Sequence, residues 1–211
     1  MQVLHVVANP KPTAESASKQ ITEVFFDALK EKNPDVRVTT VDLYQDPPPY
    51  YDYRIYRNFW YPLFQPGYQP TPDERKAAEY AARHGKLFNQ ADVLVVTAPM
   101  WNFAVPAILK AWTDQVLSPG LTFTIGAEGV KPLHKVKKLI LLTASGGAYQ
   151  PGDERDNFLP QIKAAFGFAG ISEVEVARAD GQNTFFFKDH AERKAKAAAE
   201  ARRLGERTAI L

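Results

Sequence analysis

The sequence predicts a doubly wound α/β fold, with a five-stranded parallel sheet and helices on both faces. Short runs rich in Val, Ile and Leu recur along the chain, and such continuous apolar runs are typical of strands buried on both faces. Segments with helical periodicity separate these runs, which is the alternation of a parallel βαβ sheet with right-handed crossovers. The 211 residues are enough for one such domain with a substantial core.

The elements follow from local patterns. Strands are predicted at residues 2–8, 36–43, 93–98, 138–144 and 174–177. Five helices are predicted: from about Ser16, from Pro72 to Phe88, from Pro106 through Trp112, around Phe158 to Phe166, and from about His190 to Gly205. The first of them places Ile21, Val24, Phe25 and Leu29 on one face. Pro72 and Pro106 stand at helix starts, where the fixed φ of proline fits the first turn.

One segment departs from this alternation. Residues 44–70 are crowded with Pro, Tyr, Phe and Trp, and we interpret them as an insertion in a single domain that spans residues 1–211. One interpretation is a surface loop packed by its own aromatic side chains. The other is a lid or subunit contact, because Tyr and Trp offer rigid area for interfaces and stacking.

Composition excludes several classes of function. The chain has no cysteine, which excludes thiol catalysis, disulfides and iron–sulfur ligation, and agrees with a cytoplasmic location. With 26 basic and 24 acidic residues the net charge is +2, which gives no support for nucleic-acid binding. The N-terminus has no basic leader and no run long enough to span a membrane. The four histidines are scattered without metal-ligand spacing, so we assign no metal and interpret them as core or surface residues.

The third strand ends in the most informative motif of the chain. Its apolar run stops abruptly in Pro99, Met100, Trp101, Asn102 and Phe103, just ahead of a helix. Ligands of open α/β sheets bind beyond the carboxyl ends of the strands. We therefore expect a planar ring on this loop, and a flavin is the leading candidate.

The first strand ends in a segment suited to an anion. Asn9, Ser16, Ala17 and Ser18 lead directly into a helix, whose unpaired amides and positive dipole end favour a phosphate monoester. The alternative is ordinary N-capping by Ser16. The segment lacks Gly-x-Gly-x-x-Gly and no Walker motif occurs in the chain, which argues against a resident NAD and favours a mononucleotide. A strand order of 2-1-3-4-5 places such a ligand at the ends of the first and third strands.

The fourth strand supplies a third loop. Ala144, Ser145, Gly146 and Gly147 follow its apolar run, and adjacent glycines let the backbone approach a ligand and present N–H groups to it. Such donors would stabilise negative charge on the pyrimidine side of a flavin. The alternative is an ordinary tight turn. The three loops that follow the first, third and fourth strands are expected at the same edge of the sheet.

Taken together, these motifs resemble the FMN-dependent NADH azoreductases and the related flavodoxin-like NAD(P)H quinone reductases. Residues 99–103 are similar to the family's Pro-Met-Tyr-Asn-Phe loop, residues 16–18 to its phosphate turn, residues 145–147 to its Ser-Arg-Gly-Gly, and residues 166–171 to its Phe-Leu-Gly-Phe-Ile-Gly-Ile segment. The resemblance implies an FMN whose ring lies on residues 100–103, whose phosphate meets 16–18 and whose edge meets 144–147. It also implies a homodimer with active sites at the subunit interface. Ser145 stands where the family usually has arginine, and Asn9 stands near a family serine.

The mechanism expected from the resemblance needs no catalytic side chain, because the flavin carries the electrons. NADH or NADPH would reduce the FMN and leave, and a quinone or azo compound would then take two electrons in the same place, which gives ping-pong kinetics. The alternative is a flavodoxin-type electron carrier acting with protein partners, although such carriers are typically acidic and this chain is not. A regulatory flavin-binding protein is a third possibility, indicated only by residues 44–70.

Two basic runs remain outside this interpretation. The final helix and residues 130–138 are rich in Lys and Arg. Such runs are usually solvated faces, and attraction of an anionic cofactor or a membrane surface is the alternative.

Overall fold

The computed structural model describes residues 1–211. The strands are β1 (Gln2–Val7), β2 (Arg37–Asp42), β3 (Val93–Pro99), β4 (Phe123–Gly126), β5 (Gly129–Pro132), β6 (Lys138–Ala144) and β7 (Val174–Ala179). The helices are α1 (Ala17–Lys32), α2 (Tyr53–Phe64), α3 (Pro72–Ala77), α4 (Glu79–Gln90), α5 (Ala107–Val116), α6 (Phe158–Phe168) and α7 (His190–Thr208). None of these helices combines the length and the apolar composition needed to cross a membrane.

Five parallel strands form the main sheet, in the order β2-β1-β3-β6-β7. The other two, β4 and β5, pair only with each other as an antiparallel hairpin. Counted among the parallel strands alone, the order is 2-1-3-4-5, which confirms the predicted sheet. Val7 at the end of β1 pairs with Thr97, and Pro99 at the end of β3 pairs with Ala144 of β6. The carboxyl ends of these three central strands therefore meet at one edge.

The core forms two separate clusters because neighbouring residues of a strand point to opposite faces. Val96 of β3 belongs to one cluster, with Trp112 of α5 and Phe166 of α6. Val95, the preceding residue, belongs to the other, with Phe25 of α1. Helix α7 contributes to this second cluster and lies along α1. The packing holds α1, whose N-terminus lies beside the end of β1, firmly against the sheet.

The structure differs from the sequence-based expectations at three places. The helix predicted from Pro72 to Phe88 is broken at Ala78 into α3, which packs on α2, and α4, which packs on α5 and β1. The 44–70 segment, interpreted as an insertion that forms either a surface loop or a lid or subunit contact, contains α2, which Asp52 caps by accepting the N–H groups of Arg54 and Ile55. Pro62 lies within α2, and because proline disfavours a helix interior, the sequence did not indicate this helix. The β4–β5 hairpin was not predicted.

The contact between α1 and α7 depends on Gly205. A Cβ at this position would collide with the carbonyl oxygen of Phe25 and would lie 3.0 Å from Cβ of Ala28. We expect Gly205→Ala to lower the free energy of unfolding by about 1–3 kcal/mol, the cost of overpacking. Gly167→Ala in α6 is the matched control, since no atom lies within 4 Å of its added Cβ. The control should gain about 0.5–1 kcal/mol from helix propensity. Urea denaturation measures both, and equal stability of the two variants would contradict this packing.

Candidate functional site

A cavity of about 440 Å³ opens at the carboxyl edge of the sheet. Three segments surround it: the serine turn (residues 9–18), the aromatic loop (residues 99–106) and the glycine loop (residues 144–149). Of the predicted site residues, the cavity is lined by Asn9, Ser16, Ala17, Ser18, Pro99, Met100, Trp101, Ala144, Ser145 and Gly146. Asn102, Phe103 and Gly147 are not in this lining and lie on the two loops beside it.

The serine turn is organised by the buried amide of Asn9. Its Oδ1 accepts the backbone N–H of Lys11 at 3.0 Å, which fixes the orientation of the amide. Its Nδ2 donates to Oγ of Ser16 at 2.8 Å and to Oγ of Ser18 at 3.0 Å. Ser16 is also the N-cap of α1, with Oγ accepting the N–H of Lys19 at 3.2 Å. The two Oγ atoms also lie 3.2 Å apart, so one hydroxyl donates to the other and one hydroxyl hydrogen remains available as a donor.

The first turn of α1 adds two more donors. The amide N–H groups of Ala17 and Ser18 donate to no group of the protein, as expected for the first residues of a helix. The positive end of the helix dipole lies at the same place. Lys11 and Lys194 line the cavity together with one carboxylate, Glu15. The serine turn therefore presents donors and a net positive environment to an anion.

The aromatic loop is a tight turn in an uncommon conformation. The N–H and C=O groups of Trp101 and Ala104 bond to each other at 3.1 and 3.0 Å. Between them, Asn102 and Phe103 have φ values of 47° and 67°, the left-handed conformation that a type I′ turn requires. This region is costly for Phe, and such strain is found at functional sites. The turn leaves the N–H groups of Asn102 and Phe103 unpaired and the rings of Trp101 and Phe103 exposed by 40% and 48%.

The glycine loop is tied to the segment after β7. The carbonyl groups of Ser145, Gly146 and Gly147 accept the N–H groups of residues 182, 183 and 181. Oγ of Ser145 donates to the carbonyl of Gly147 at 2.8 Å, so this hydroxyl shapes the loop. The N–H groups of Gly146 and Gly147 have no partner in the protein. A Cβ on Gly147 would lie 2.7 Å from Oη of Tyr149, so a side chain at this position would have to displace the ring of Tyr149.

Several residues of the cavity wall were not singled out from the sequence. Gln20, Gln182, Asn183 and Lys194 line it, and Nζ of Lys194 bonds to Oε1 of Gln20 at 2.8 Å. Residues 182 and 183 follow the fifth parallel strand, whose carboxyl end reaches the same edge. The rule that ligands bind beyond the carboxyl ends of parallel strands could therefore have indicated Gln182 and Asn183 from the sequence. Lys194 stands in the basic run of α7, where nothing in the sequence separates it from its neighbours.

The remaining basic side chains of α7 are largely engaged with carboxylates. Arg193 bonds to Asp180 at 3.1 Å and to Asp189 at 2.9 Å, and Arg207 bonds to Glu175 at 2.7 Å. This arrangement agrees with the interpretation of the run as a solvated face. Lys194 is the exception, since it lines the cavity.

Two histidines belong to buried hydrogen-bond networks. His84 lies between Asp46, 2.9 Å from its Nε2, and the indole N–H of Trp112, which donates to Nδ1 at 3.2 Å. Burial lowers the pKa of His84. His5 is buried beside Thr97, and burial lowers its pKa to about 3, with a further contribution from the charge of Lys19. Both imidazoles are therefore neutral at physiological pH.

The donors around the cavity fit a phosphate monoester joined to a planar ring. Hydroxyl and amide donors converge at the serine turn, while unpaired backbone N–H groups and exposed aromatic rings stand on the other two loops. A single phosphate at a helix N-terminus is the expected arrangement for a mononucleotide on a 2-1-3-4-5 sheet.

Comparison with known proteins decides the family. The model of a family described as having a flavodoxin-like fold matches residues 1–204. An FMN-dependent NADH:quinone oxidoreductase of Bacillus licheniformis is 36% identical over 86% of this chain and 88% of its own length. A protein of the same name from Clostridium beijerinckii is 32% identical over 94% of this chain and 98% of its own length. The chain belongs to the flavodoxin-like NADH:quinone oxidoreductase and azoreductase family.

Solved structures of this family share the whole architecture. An azoreductase from Bacillus anthracis superposes with a TM-score of 0.87 at 29% identity, covering 98% of this chain and 99% of that one. An FMN-dependent NADH-azoreductase from the same species, solved in complex with FMN, gives a TM-score of 0.84 at 26% identity and covers 99% of both chains. The predicted family is thereby confirmed.

Proposed function

We propose that this protein is an FMN-dependent oxidoreductase that takes electrons from NADH and passes two electrons to quinones or azo compounds. The observation that carries the proposal is the convergence of unpaired donors on the cavity at the carboxyl edge of the sheet. The relatives are named as FMN-dependent NADH:quinone oxidoreductases and azoreductases, which supports the same cofactor and substrates for this chain.

In this proposal, each of the three segments has its own role toward FMN. The hydroxyls of Ser16 and Ser18 and the N–H groups of Ala17 and Ser18 hold the phosphate. The hydroxyl that donates to its serine neighbour exchanges this bond for one to the phosphate. Asn9 orients the two serines, because its amide is fully used within the turn. Residues 99–103 support the ring. Residues 144–147 face its polar edge, with Ser145 maintaining the shape of the loop rather than replacing the family arginine.

Bound FMN supplies the redox chemistry, since a flavin accepts a hydride equivalent and returns two electrons. The protein contributes position and electrostatics. The unpaired N–H groups of Gly146 and Gly147 stabilise negative charge at the edge that they face. The exposed rings of Trp101 and Phe103 offer flat surfaces to aromatic donors and acceptors. Reductant and oxidant visit the same open place in turn, and this alternation implies ping-pong kinetics.

The proposal includes residues 1–211 as one FMN-binding domain that acts as a cytoplasmic homodimer. Exposed aromatic residues, among them Tyr53 and Phe64 of α2 at 61% and 60%, favour the subunit contact as the role of the 44–70 segment. The electron-carrier alternative is not favoured by a net charge of +2.

The test is to mix FMN-loaded protein with NADH under anaerobic conditions and then add a benzoquinone, following the flavin absorbance. We expect rapid bleaching by NADH and full return of the colour on addition of the quinone. Initial rates at varied concentrations of both substrates should give parallel double-reciprocal lines. Absence of bleaching by NADH and by NADPH would contradict the enzyme and favour the carrier, while intersecting lines would contradict the ping-pong order.

A further inference from the structure

A chain of buried side-chain hydrogen bonds leads from the sheet into the serine turn. Oγ1 of Thr22 donates to the carbonyl oxygen of Ser18 at 2.7 Å. Oγ1 of Thr97 lies 2.8 Å from Oγ1 of Thr22 and 2.8 Å from Nε2 of His5. Nδ1 of His5 lies 3.4 Å from Oγ1 of Thr40 on β2. The three inner side chains, Thr22, Thr97 and His5, are all at least nine-tenths buried.

The direction of every bond in this chain can be deduced. Each hydroxyl has one hydrogen, and that of Thr22 goes to the carbonyl of Ser18. Thr22 therefore accepts from Thr97, and Thr97 in turn accepts from Nε2–H of His5. This assignment leaves Nδ1 of His5 to accept from Thr40, so the imidazole is neutral with its hydrogen on Nε2. A pKa lowered to about 3 by burial agrees with this state.

The chain ends on a peptide group that belongs to the anion site. The carbonyl of Ser18 is bonded to the nitrogen of Lys19, and the N–H of Lys19 donates to Oγ of Ser16 at 3.2 Å. Hydrogen bonding to a carbonyl polarises its peptide group, and aligned hydrogen bonds strengthen one another. The hydrogen bonds of His5, Thr97 and Thr22 therefore strengthen one another and polarise the peptide group between Ser18 and Lys19. The N–H of this peptide group is the one that orients Ser16.

We propose that Thr22, Thr97 and His5 are positioning residues for the phosphate group of the cofactor. The inference rests on the proposed function, because it assigns the phosphate to the serine turn. None of the three lines the cavity, so they act through Ser16 and Ser18 and not by contact. Their effect is confined to the phosphate end of the site, since none of their side-chain hydrogen bonds reaches the aromatic loop or the glycine loop.

The experiment compares FMN with riboflavin, which has the same ring and lacks the phosphate. Dissociation constants for both flavins are measured by fluorescence titration of apoprotein with the substitution Thr22→Val. We expect the constant for FMN to rise roughly twofold to tenfold, the effect of losing one hydrogen bond between neutral groups. The constant for riboflavin should stay unchanged. Thr22→Ser keeps the hydroxyl and should retain the binding of FMN.

Thr113→Val in α5 is the matched control. Thr113 is buried and donates to the carbonyl of Leu109 at 2.8 Å, the same bond within a helix that Thr22 makes, and it does not line the FMN cavity. Removal of the Thr113 hydroxyl should change neither the dissociation constant for FMN nor that for riboflavin. Thr97→Val should weaken FMN selectively, and the double variant with Thr22→Val should lose less than the sum of the two single effects because both act in one chain.

The possible results separate this inference from the proposed function. Selective loss of FMN binding in Thr22→Val supports the inference. Equal weakening of FMN and riboflavin, or no change in either, would overturn it while leaving the wild-type enzyme as proposed. A wild-type protein that binds neither flavin would contradict the proposed function and this inference together.

Discussion

Asn9→Asp is expected to weaken FMN binding by roughly 100-fold or more, the cost of reversing hydrogen bonds and placing a charge at a buried site. The substitution keeps the shape of the side chain. A carboxylate accepts hydrogen bonds where the amide donated them, so the hydroxyls of Ser16 and Ser18 would turn toward residue 9 and away from the phosphate. The new negative charge would also repel the phosphate.

The control for this prediction is Asn33→Asp at the other end of α1. It makes the same change in net charge beyond a helix of 16 residues, about 24 Å away at 1.5 Å per residue. We expect Asn33→Asp to retain FMN, and we expect Asn9→Asp to retain most of its affinity for riboflavin. Calorimetric titration measures the dissociation constants of both variants for FMN and for riboflavin. Normal FMN affinity in Asn9→Asp would show that the phosphate does not lie at the serine turn.

Asn102→Asp is expected to lower FMN affinity by roughly 10-fold to 30-fold, since in the proposed arrangement it exchanges amide donors for a carboxylate beside the ring. Asp tolerates a positive φ almost as well as Asn, so the turn at 47° should persist and only the charge should change. The flavin that remains bound should be harder to reduce by NADH, because negative charge opposes electron uptake.

Asn102→Gly is the control that separates the effect of the added charge from an effect on the conformation of the turn. Glycine adopts the left-handed region freely and adds no charge, so this variant should bind FMN more tightly than Asn102→Asp. Flavin content after purification and the NADH-dependent bleaching rate are the measurements. If both variants keep wild-type flavin content, the ring does not approach residue 102.

The sheet and the three loops could be predicted because they depend on local patterns and one topological rule. Apolar runs locate the strands, and the carboxyl ends of neighbouring parallel strands must share an edge. The role of Asn9 could not be predicted in the same way. Its position next to the first strand indicates a site residue, but its orienting role depends on Lys11 fixing the direction of the amide.

Other features depend on contacts between residues far apart in the chain. Lys194 reaches the cavity through Gln20, 174 residues earlier, and His5 reaches Thr97 across 92 residues. Helix α2 was obscured because Pro62 and the crowded aromatic residues resemble a loop. The left-handed conformation of Phe103 is set by its turn, since the residue itself disfavours it.

The decisive experiment is a titration of the wild-type apoprotein with FMN. We expect saturation at one FMN per chain, quenching of the flavin fluorescence and clearly weaker binding of riboflavin, because the serine turn recognises the phosphate. Equal affinity for FMN and riboflavin, or no binding of either, would contradict a mononucleotide held at the carboxyl edge of this sheet.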